Sequence, residues 1–399
     1  MNICKKIQNA NYYPTVEDIP EYIWKELNCT NDLYFSPNYL SAISKYQNDI
    51  DFWYVVLFDD HYKPIAFSTV QVVNFYLDSV QNELQSIVEF IKRIGRKLRV
   101  LSDQKPLKIL TCGNTFVSGE HGIFIKEGQD KQKVIKQIAK SVLQLVNDES
   151  HFSYKVSGFM LKDFEYESLF ISDELLEYNY HSFNVEPNML MQIDEDWSDF
   201  DDYLSAMKTK FRVKAKKAME LSSVLKEIDI TESNIDLYLK DMEKLYKSVS
   251  SKAGFNLGEF NILSYAVLKE NLKGNYIIKG YLLNNKLVGF LSGMINQGNL
   301  DAHFVGISYQ YKRKNAVNQR KIYDYLKIER ELIVKQINFG RTASEIKSSV
   351  GAQPQDLTIY FRHKNSIPNK ILKCFIDKIQ PTPFQQKHPF KAKTLVKQS

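Results

Sequence analysis

The alternation of apolar and polar positions divides the chain into two stretches that predict the same succession of elements. In the first, Ser36 before Pro37 in "YFSPNYLSAISKY" supplies an N-cap and a first helical residue. "DFWYVVLF" (Asp51–Phe58) and "PIAFSTVQVVNF" (Pro64–Phe75) are β-rich runs either side of the turn "DDHYK", and they predict a long antiparallel hairpin. "LKILTCGN" (Leu107–Asn114) predicts a short buried strand ending in a turn, and "GEHGIFI" a return to strand. Val134, Ile135, Ile138, Val142 and Val146 fall at helical spacing. "YKVSGFM" predicts another strand, followed by a short helical run near Ser172–Glu177 and the extended "SFNVEPNMLMQI".

The second stretch repeats that order. "NIDLYLKDMEKLYKSVSS" is helical, with Leu237, Leu239, Met242, Leu245 and Val249 apolar. In "YIIKGYLLNNKLVGFLSGMI" the pair Asn284-Asn285 between apolar runs marks a hairpin. "LDAHFVGIS" reads as a strand, and "NAVNQRKIYDYLKIERELIVKQ" as a helix with Ile322, Tyr325, Leu326, Leu332 and Ile333 on one face. "INFG" is the next strand, and after a polar segment comes "LTIYFRH". The chain therefore predicts two copies of one α/β unit, residues 1–195 and 196–380. The proline- and lysine-containing tail 381–399 is expected to be solvated, with a weak anionic-surface contact as the alternative.

A chain of 399 residues is too long for one ordinary core, in keeping with two units, and 24 Tyr with 24 Phe argue against disorder. No apolar run is long enough to predict a membrane span, and "MNICKKIQNANYYP" lacks the apolar segment of a secretory leader. Cys4, Cys29, Cys112 and Cys374 show no C-x-x-C spacing, which excludes an ordinary zinc site or disulfide framework. A cytoplasmic location is the expectation. The net charge of +6 is mild, so what matters is where the cations cluster.

They cluster in "YLSAMKTKFRVKAKKAME". Leu204, Met207, Phe211, Ala215 and Ala218 form an apolar stripe, while Lys208, Lys210, Arg212, Lys214, Lys216 and Lys217 occupy the other faces. Like charges repel at i,i+4, so a bound phosphate would relieve a cost; a solvated face is the plain alternative. A second cluster, Lys312, Arg313 and Lys314 in "QYKRKN", precedes a helix whose dipole disfavours cations unless an anion joins them. In "LDAHF", Asp301 and His303 are two apart and share one face of a strand, which makes His303 a candidate base. In "GRTASEIKSSVG", Thr342 and Glu345 form a capping-box pattern and Gly351 a helix stop. Capping does not account for Arg341, which sits where a carboxylate or phosphate clamp belongs, with Ser344 and Lys347 nearby. "CGNTFVSGEHG" holds Asn114, Glu120 and His121 and reads as a turn or as the polar lip of a groove between the copies. No P-loop, G-x-S-x-G or H-E-x-x-H occurs, so kinase, hydrolase and metalloprotease readings have no support.

The order helix, hairpin, strand, helix, strand resembles the GNAT acyltransferase fold, and two tandem copies resemble the FemABX-like aminoacyl- and acyltransferases of the peptidoglycan-bridge type. The basic helix, the "YIIKGYLLNNKLVGFLSGMI" hairpin and the unit from Tyr311 through "GRTASEIKSSVGA" carry the likeness, over most of Asp199–His363. Acetyl-CoA-using GNAT proteins have a [Q/R]-x-x-G-x-[G/A] loop. Here Gln310 is present, but Arg313 and Asn315 replace the small residues, a departure toward the FemABX-like branch. The resemblance implies an α/β (α+β) fold of two tandem GNAT-like domains, each a mixed, mostly antiparallel sheet flanked by helices. It implies transfer of an acyl or aminoacyl group from a thioester or ester to an amine, in a groove of the second copy. On this reading His303 or Glu345 accepts the proton and Tyr311 serves the leaving group. Arg341, Ser344, Lys347, Asn315 and Asp301 surround the substrate, and Lys208, Lys210, Arg212, Lys312 and Arg313 hold phosphate. The donor would be acyl-CoA or aminoacyl-tRNA, with no tightly bound cofactor. The acceptor would be a small molecule or cell-envelope precursor bearing an anionic group, and tRNA is a further candidate partner. The alternative is a non-catalytic binding module for anionic ligands on a degenerate GNAT scaffold.

Overall fold

The β-rich runs form the centres of two sheets in the computed structural model, which describes residues 9–75, 106–148, 151–152, 154–252, 258–311, 316–332, 334–377, 379 and 381–391. The first sheet contains β1 (Ala10–Tyr13), β2 (Asp51–Phe58), β3 (Pro64–Phe75), β4 (Leu107–Cys112), β5 (Ile123–Ile125), β6 (Val156–Phe164) and β7 (His181–Asn184), together with β15 (Thr358–His363). The second contains β8 (Asn188–Gln192), β9 (Lys226–Asp229), β10 (Tyr276–Leu283), β11 (Lys286–Asn296), β12 (Asn299–Ile307), β13 (Gln336–Asn338) and β14 (Gln353–Gln355). Each is mixed and mostly antiparallel, as the expected fold class requires.

The strand orders match position by position. The first sheet runs β1-β2-β3-β4-β6-β15-β7 and the second β9-β10-β11-β12-β13-β8-β14. In both, the single parallel pair joins the fourth and fifth positions: β4 with β6, and β12 with β13. A parallel pair needs a crossover, and helices supply it. Lys131–Asn147 (α2) lies between β4 and β6, and Val317–Leu332 (α6) between β12 and β13. The duplication read from element order is therefore present in the sheet topology.

The chain does not divide at one point, however. Within the described residues, the first unit takes segments of 1–185, 254–260 and 356–381, and the second takes segments of 186–253, 261–355 and 382–399. The division at 195/196 assigns two strands to the wrong unit. β8 precedes that division but sits between β13 and β14, and β15 follows all of the second unit's strands but sits between β6 and β7. Each sheet's sixth position is thus filled from across the boundary expected from sequence. Hydrophobic patterning identifies a strand but not which edge it joins.

Burial follows the stripe predicted for Val134–Val146 and, at Tyr325 and Leu326, the one predicted after Asn315. Leu237 departs, 78% exposed in the short turn Ile235–Leu237, and the side chains of Leu332 and Ile333 lie outside the described residues. In the first unit Val134, Ile135, Ile138, Val142 and Val146 of α2 pack with Val55, Leu110 and Phe159 of the sheet. Asp130 caps α2, accepting from the Lys133 N–H at 3.0 Å. In the second unit Tyr323, Tyr325 and Leu326 of α6 join Leu291, Leu300 and Ile337. Arg320 fixes α6 through Asp324 (2.6 Å) and Glu227 (2.7 Å), and the Tyr281 hydroxyl donates to Asp324 at 2.8 Å.

The C-terminal segment departs from expectation. Instead of a solvated tail, residues 382–391 are part of the second unit. Phe390 is 2% exposed, against Tyr203 and Trp197, and pairs with Met207 in a β-bridge. The Lys208 N–H donates to the Pro389 carbonyl at 2.7 Å and the Lys391 N–H to Ala206 at 3.1 Å. One buried ring outweighs the polar composition around it. Phe390→Ala should lower the stability of the second unit by about 3 kcal/mol in urea unfolding. An unchanged midpoint would return the segment to solvent.

Candidate functional site

In the second unit the two parallel strands pair only briefly and then part. β12 and β13 are in register at Asn299–Gln336, Leu300–Ile337 and Asp301–Asn338. β12 then continues to Ile307, with no strand paired on that side among the described residues. β13 stops because Asn338 turns the chain, its Oδ1 accepting from the Gly340 N–H at 2.8 Å, and Gly340 adopts φ 69°. A strand edge left open in this way can pair with the amide groups of an extended ligand.

A bulge lies in the open part of β12. Gly293 faces Ala302 and Leu291 faces Val305, so His303 and Phe304 together oppose Ser292. The Ser292 hydroxyl accepts from the Phe304 N–H (3.1 Å) and donates to its carbonyl (3.0 Å). Asp301 and His303 share one face, as expected: Leu300, Ala302 and Val305 point to the core against α6, while His303 reaches Tyr276, which lies in the same cross-strand row as Met294 and Asp301. The His303 ring packs against Phe304 at 4.2 Å, and its Nδ1 is 3.0 Å from the Tyr276 hydroxyl. Burial pushes its pKa down to about 3. Burial thus favours the neutral ring, the form that accepts a hydrogen bond or a proton. Asp301 is buried in β12 between Met294 and Asn338.

The segment after β13 is strained and stapled. Thr342 (φ 68°) and Ala343 (φ 53°) are consecutive non-glycine residues in the left-handed region, at about 1–3 kcal/mol each. The short helix Ser344–Ser348 (α7) begins with Ala343 as N-cap and no side-chain cap, so the expected Thr342–Glu345 capping box does not form. A capping residue needs an extended backbone, which Thr342 lacks. Glu345 instead pairs with Lys387 of the C-terminal segment at 2.9 Å. The Lys347 ammonium donates to the carbonyls of Gly340 (3.0 Å) and Arg341 (2.6 Å), closing the strained turn on itself. Lys347 is thus a staple rather than a substrate ligand. At the other end Gly351, at φ 116°, closes α7 as predicted: its N–H donates to Ser348 and that of Ala352 to Lys347. A Cβ at Gly351 would lie 2.4 Å from the Phe390 ring.

Asp301 ends the β12–β13 pairing, His303 follows it on β12, and Arg341, Ser344 and Lys347 follow β13. Arg341 is half-buried and Ser344 buried. Tyr311 is half-buried in the turn that follows β12, its N–H donating to Ser308 at 3.1 Å. Lys312, Arg313, Lys314 and Asn315 lie outside the described residues. The basic helix is Thr209–Leu221 (α3). Lys208, at its N-cap, is exposed, and its ammonium donates to the His388 carbonyl at 3.0 Å. Lys210 is exposed and Arg212 half-buried. Sequence reasoning missed Ser292, Tyr276, Asn338 and the Lys387–Phe390 anchor. Of these, only Phe390, an aromatic residue in a proline-lysine tail, carried a signal.

The corresponding place in the first unit is built differently. β4 and β5 share one edge of β3 end to end: Val70 faces Cys112, Ser68 faces Ile123, and ten residues lie between. This excursion, Gly113–Gly122, leaves the strand where β12 carries its bulge. Its ends touch, since a Cβ on Gly122 would lie 2.4 Å from the Gly113 Cα. The excursion folds over the ends of β4 and β6, and its Asn114 and His121 line a small cavity of the first unit with Tyr34, Tyr39, Tyr54 and Gln71. The buried Lys162 ammonium donates to the Asn114 carbonyl (2.8 Å) and pairs with Asp163, which accepts from the Gly119 N–H at 3.3 Å. Glu120 accepts from the Glu165 N–H (2.6 Å) and the Ser168 hydroxyl (2.9 Å). His121 lies 4.0 Å from Tyr34, and burial holds its pKa at about 4. Both units therefore place a neutral histidine at the same break in the fourth strand, but only the first covers it.

No family model and no curated relative matches the chain. Solved structures do. FemX superposes with a TM-score of 0.51 at 11% identity, covering 83% of this chain and 92% of its own. L-PGS from Bacillus licheniformis gives 0.50 at 12%, covering 90% and 96%. A tandem GNAT protein from the clavulanic acid biosynthesis pathway gives 0.50 at 8%, covering 89% and 99%. The fold is a tandem GNAT, FemABX-like fold.

Burial pushes the Lys347 pKa down to about 7 from its ordinary 10.5, with Glu186 pulling upward. Between those values the unfolded chain holds a proton that the folded protein does not, so this group makes stability rise with pH across that window. The urea midpoint should climb from pH 7 to pH 10 more steeply in the parent than in Lys347→Met. Equal slopes would show that Lys347 remains charged in the folded protein.

Proposed function

We propose that the chain transfers an acyl or aminoacyl group from a thioester or ester donor to an amine, and that the reaction takes place where β12 and β13 part. The supporting observation is an open strand edge in β12 together with the strained, stapled turn after β13 that contains Arg341. An extended donor arm would lie along β12, and main-chain N–H groups of that edge would face the carbonyl oxygen as charge develops on it. The amine nitrogen attacks the carbonyl carbon, a tetrahedral intermediate forms, and the C–S or C–O bond breaks to release thiolate or alkoxide. Burial disfavours a charged His303, so we do not assign it the proton lost by the amine. Glu345, already paired with Lys387, is a poorly placed acceptor. We assign proton release to water at the half-exposed segment 302–305 and a positioning role to the Tyr276–His303 pair. Arg341 holds an anionic group of donor or acceptor.

Acyl-CoA and aminoacyl-tRNA remain the two donor classes, and the acceptor is an amine on a small molecule or cell-envelope precursor with an anionic group. The weak basicity of His303 favours one second reading, a binding module that holds such a ligand without turnover. A panel of acyl-CoA and aminoacyl-tRNA donors, assayed for binding and for transfer, separates the two. We expect one donor bound per chain, because the excursion 113–122 covers the first unit's equivalent place. We also expect Arg341→Ala to lower kcat/KM by about 10–100-fold with the fold intact, the effect of losing a charged hydrogen bond. Saturable binding without product would establish the module. Full activity in Arg341→Ala would remove the clamp.

A further inference from the structure

We propose that the outward face of α3 docks the second unit on an anionic lipid bilayer. This stands whether or not the second unit transfers an acyl group. The helix is a fixed platform. Ala215 and Ala218 are buried in the core, and the Pro389 carbonyl accepts from Lys208 at the N-cap. Its outward side carries Lys210, Val213, Lys214, Lys217 and Leu221 at helical spacing, and Val224 follows just beyond the helix. Val213 is 58% exposed, Leu221 41% and Val224 61%.

Two costs coincide on this face. The helix has five basic residues against one acid, Glu220, and among the described residues Lys210, Lys214, Lys216 and Lys217 make no ion pair. Three aliphatic side chains stand among them in water. A nucleic-acid backbone or free phosphate would neutralise the lysines but leave the aliphatic groups hydrated. An anionic bilayer relieves both, as headgroups meet the ammonium groups and the valines and leucine enter the boundary with the acyl chains. The contact is peripheral, since no helix among the described residues is long and apolar enough to cross a membrane.

The test is co-sedimentation of the full chain with sucrose-loaded vesicles of phosphatidylcholine, with and without phosphatidylglycerol. The parent should sediment only with the anionic vesicles, less so as salt rises. Val213→Ser with Val224→Ser keeps every charge and should weaken partitioning by about tenfold. Replacing Lys210, Lys214 and Lys217 by Gln should weaken it by about fivefold per cation. All five positions are exposed, so melting temperatures should not move. A parent that stays in the supernatant overturns the proposal, and so does a valine pair variant that sediments as the parent does. A tRNA complex that depends on the three lysines, ignores the valines and is not displaced by vesicles would assign the face to nucleic acid instead.

Discussion

The second unit depends on how short its parallel pairing is. Three residues of β12 meet three of β13, and then Asn338 and Gly340 turn one strand away while the other runs on. A parallel pair carried to full length would have closed the sheet. The parting leaves the end of β12 without a strand on that side among the described residues, and the surrounding chain stabilises it. The bulge at His303–Phe304 is satisfied by Ser292, the left-handed turn by Lys347, and the helix behind that turn by a segment that returns from the C-terminus. Strain at Thr342 and Ala343 persists because the structure on both sides determines it.

The first unit shows the same topology with the opposite outcome. Where β12 bulges by one residue, the chain between β4 and β5 makes a ten-residue excursion and packs it over the ends of β4 and β6. The buried Lys162–Asp163 pair and the Glu120 carboxylate serve this closure, so their polarity is structural. Two copies of one fold thus differ on the fourth strand, by a one-residue bulge in the second and a ten-residue excursion in the first. The exchange of β8 and β15 between the units means that neither is encoded by a continuous half of the chain.

Much of this was legible in the residues. The hairpins, both crossover helices and the duplication follow from apolar periodicity and turn chemistry, and Gly351 was identifiable as a helix stop. What periodicity misses is anything that depends on a partner far along the chain. It could not assign β8 and β15 to their sheets. It read "GRTASEIK" as a capping box because spacing alone does not reveal that Thr342 lies outside the extended region. It took the final segment for a solvated tail because composition hides one ring in a core. Arg341 drew attention for a sound reason, as the residue that capping left over. Lys347 drew it for a mistaken one, since its ammonium faces carbonyls of its own loop. His303 was located correctly as a candidate, but its burial, and hence its weak basicity, depends on tyrosines contributed by Tyr265 and Tyr276 of other elements.

The central claim is that the ligand enters the parted strands of the second unit and has no equivalent place in the first. Amide hydrogen exchange tests it most directly, run with and without acetyl-CoA and, separately, a stable aminoacyl-adenosine analogue. One of these should slow exchange in peptides covering residues 302–307 and 339–343 and leave those covering 107–125 unchanged. Protection confined to 107–125, or shared equally by both, would contradict it.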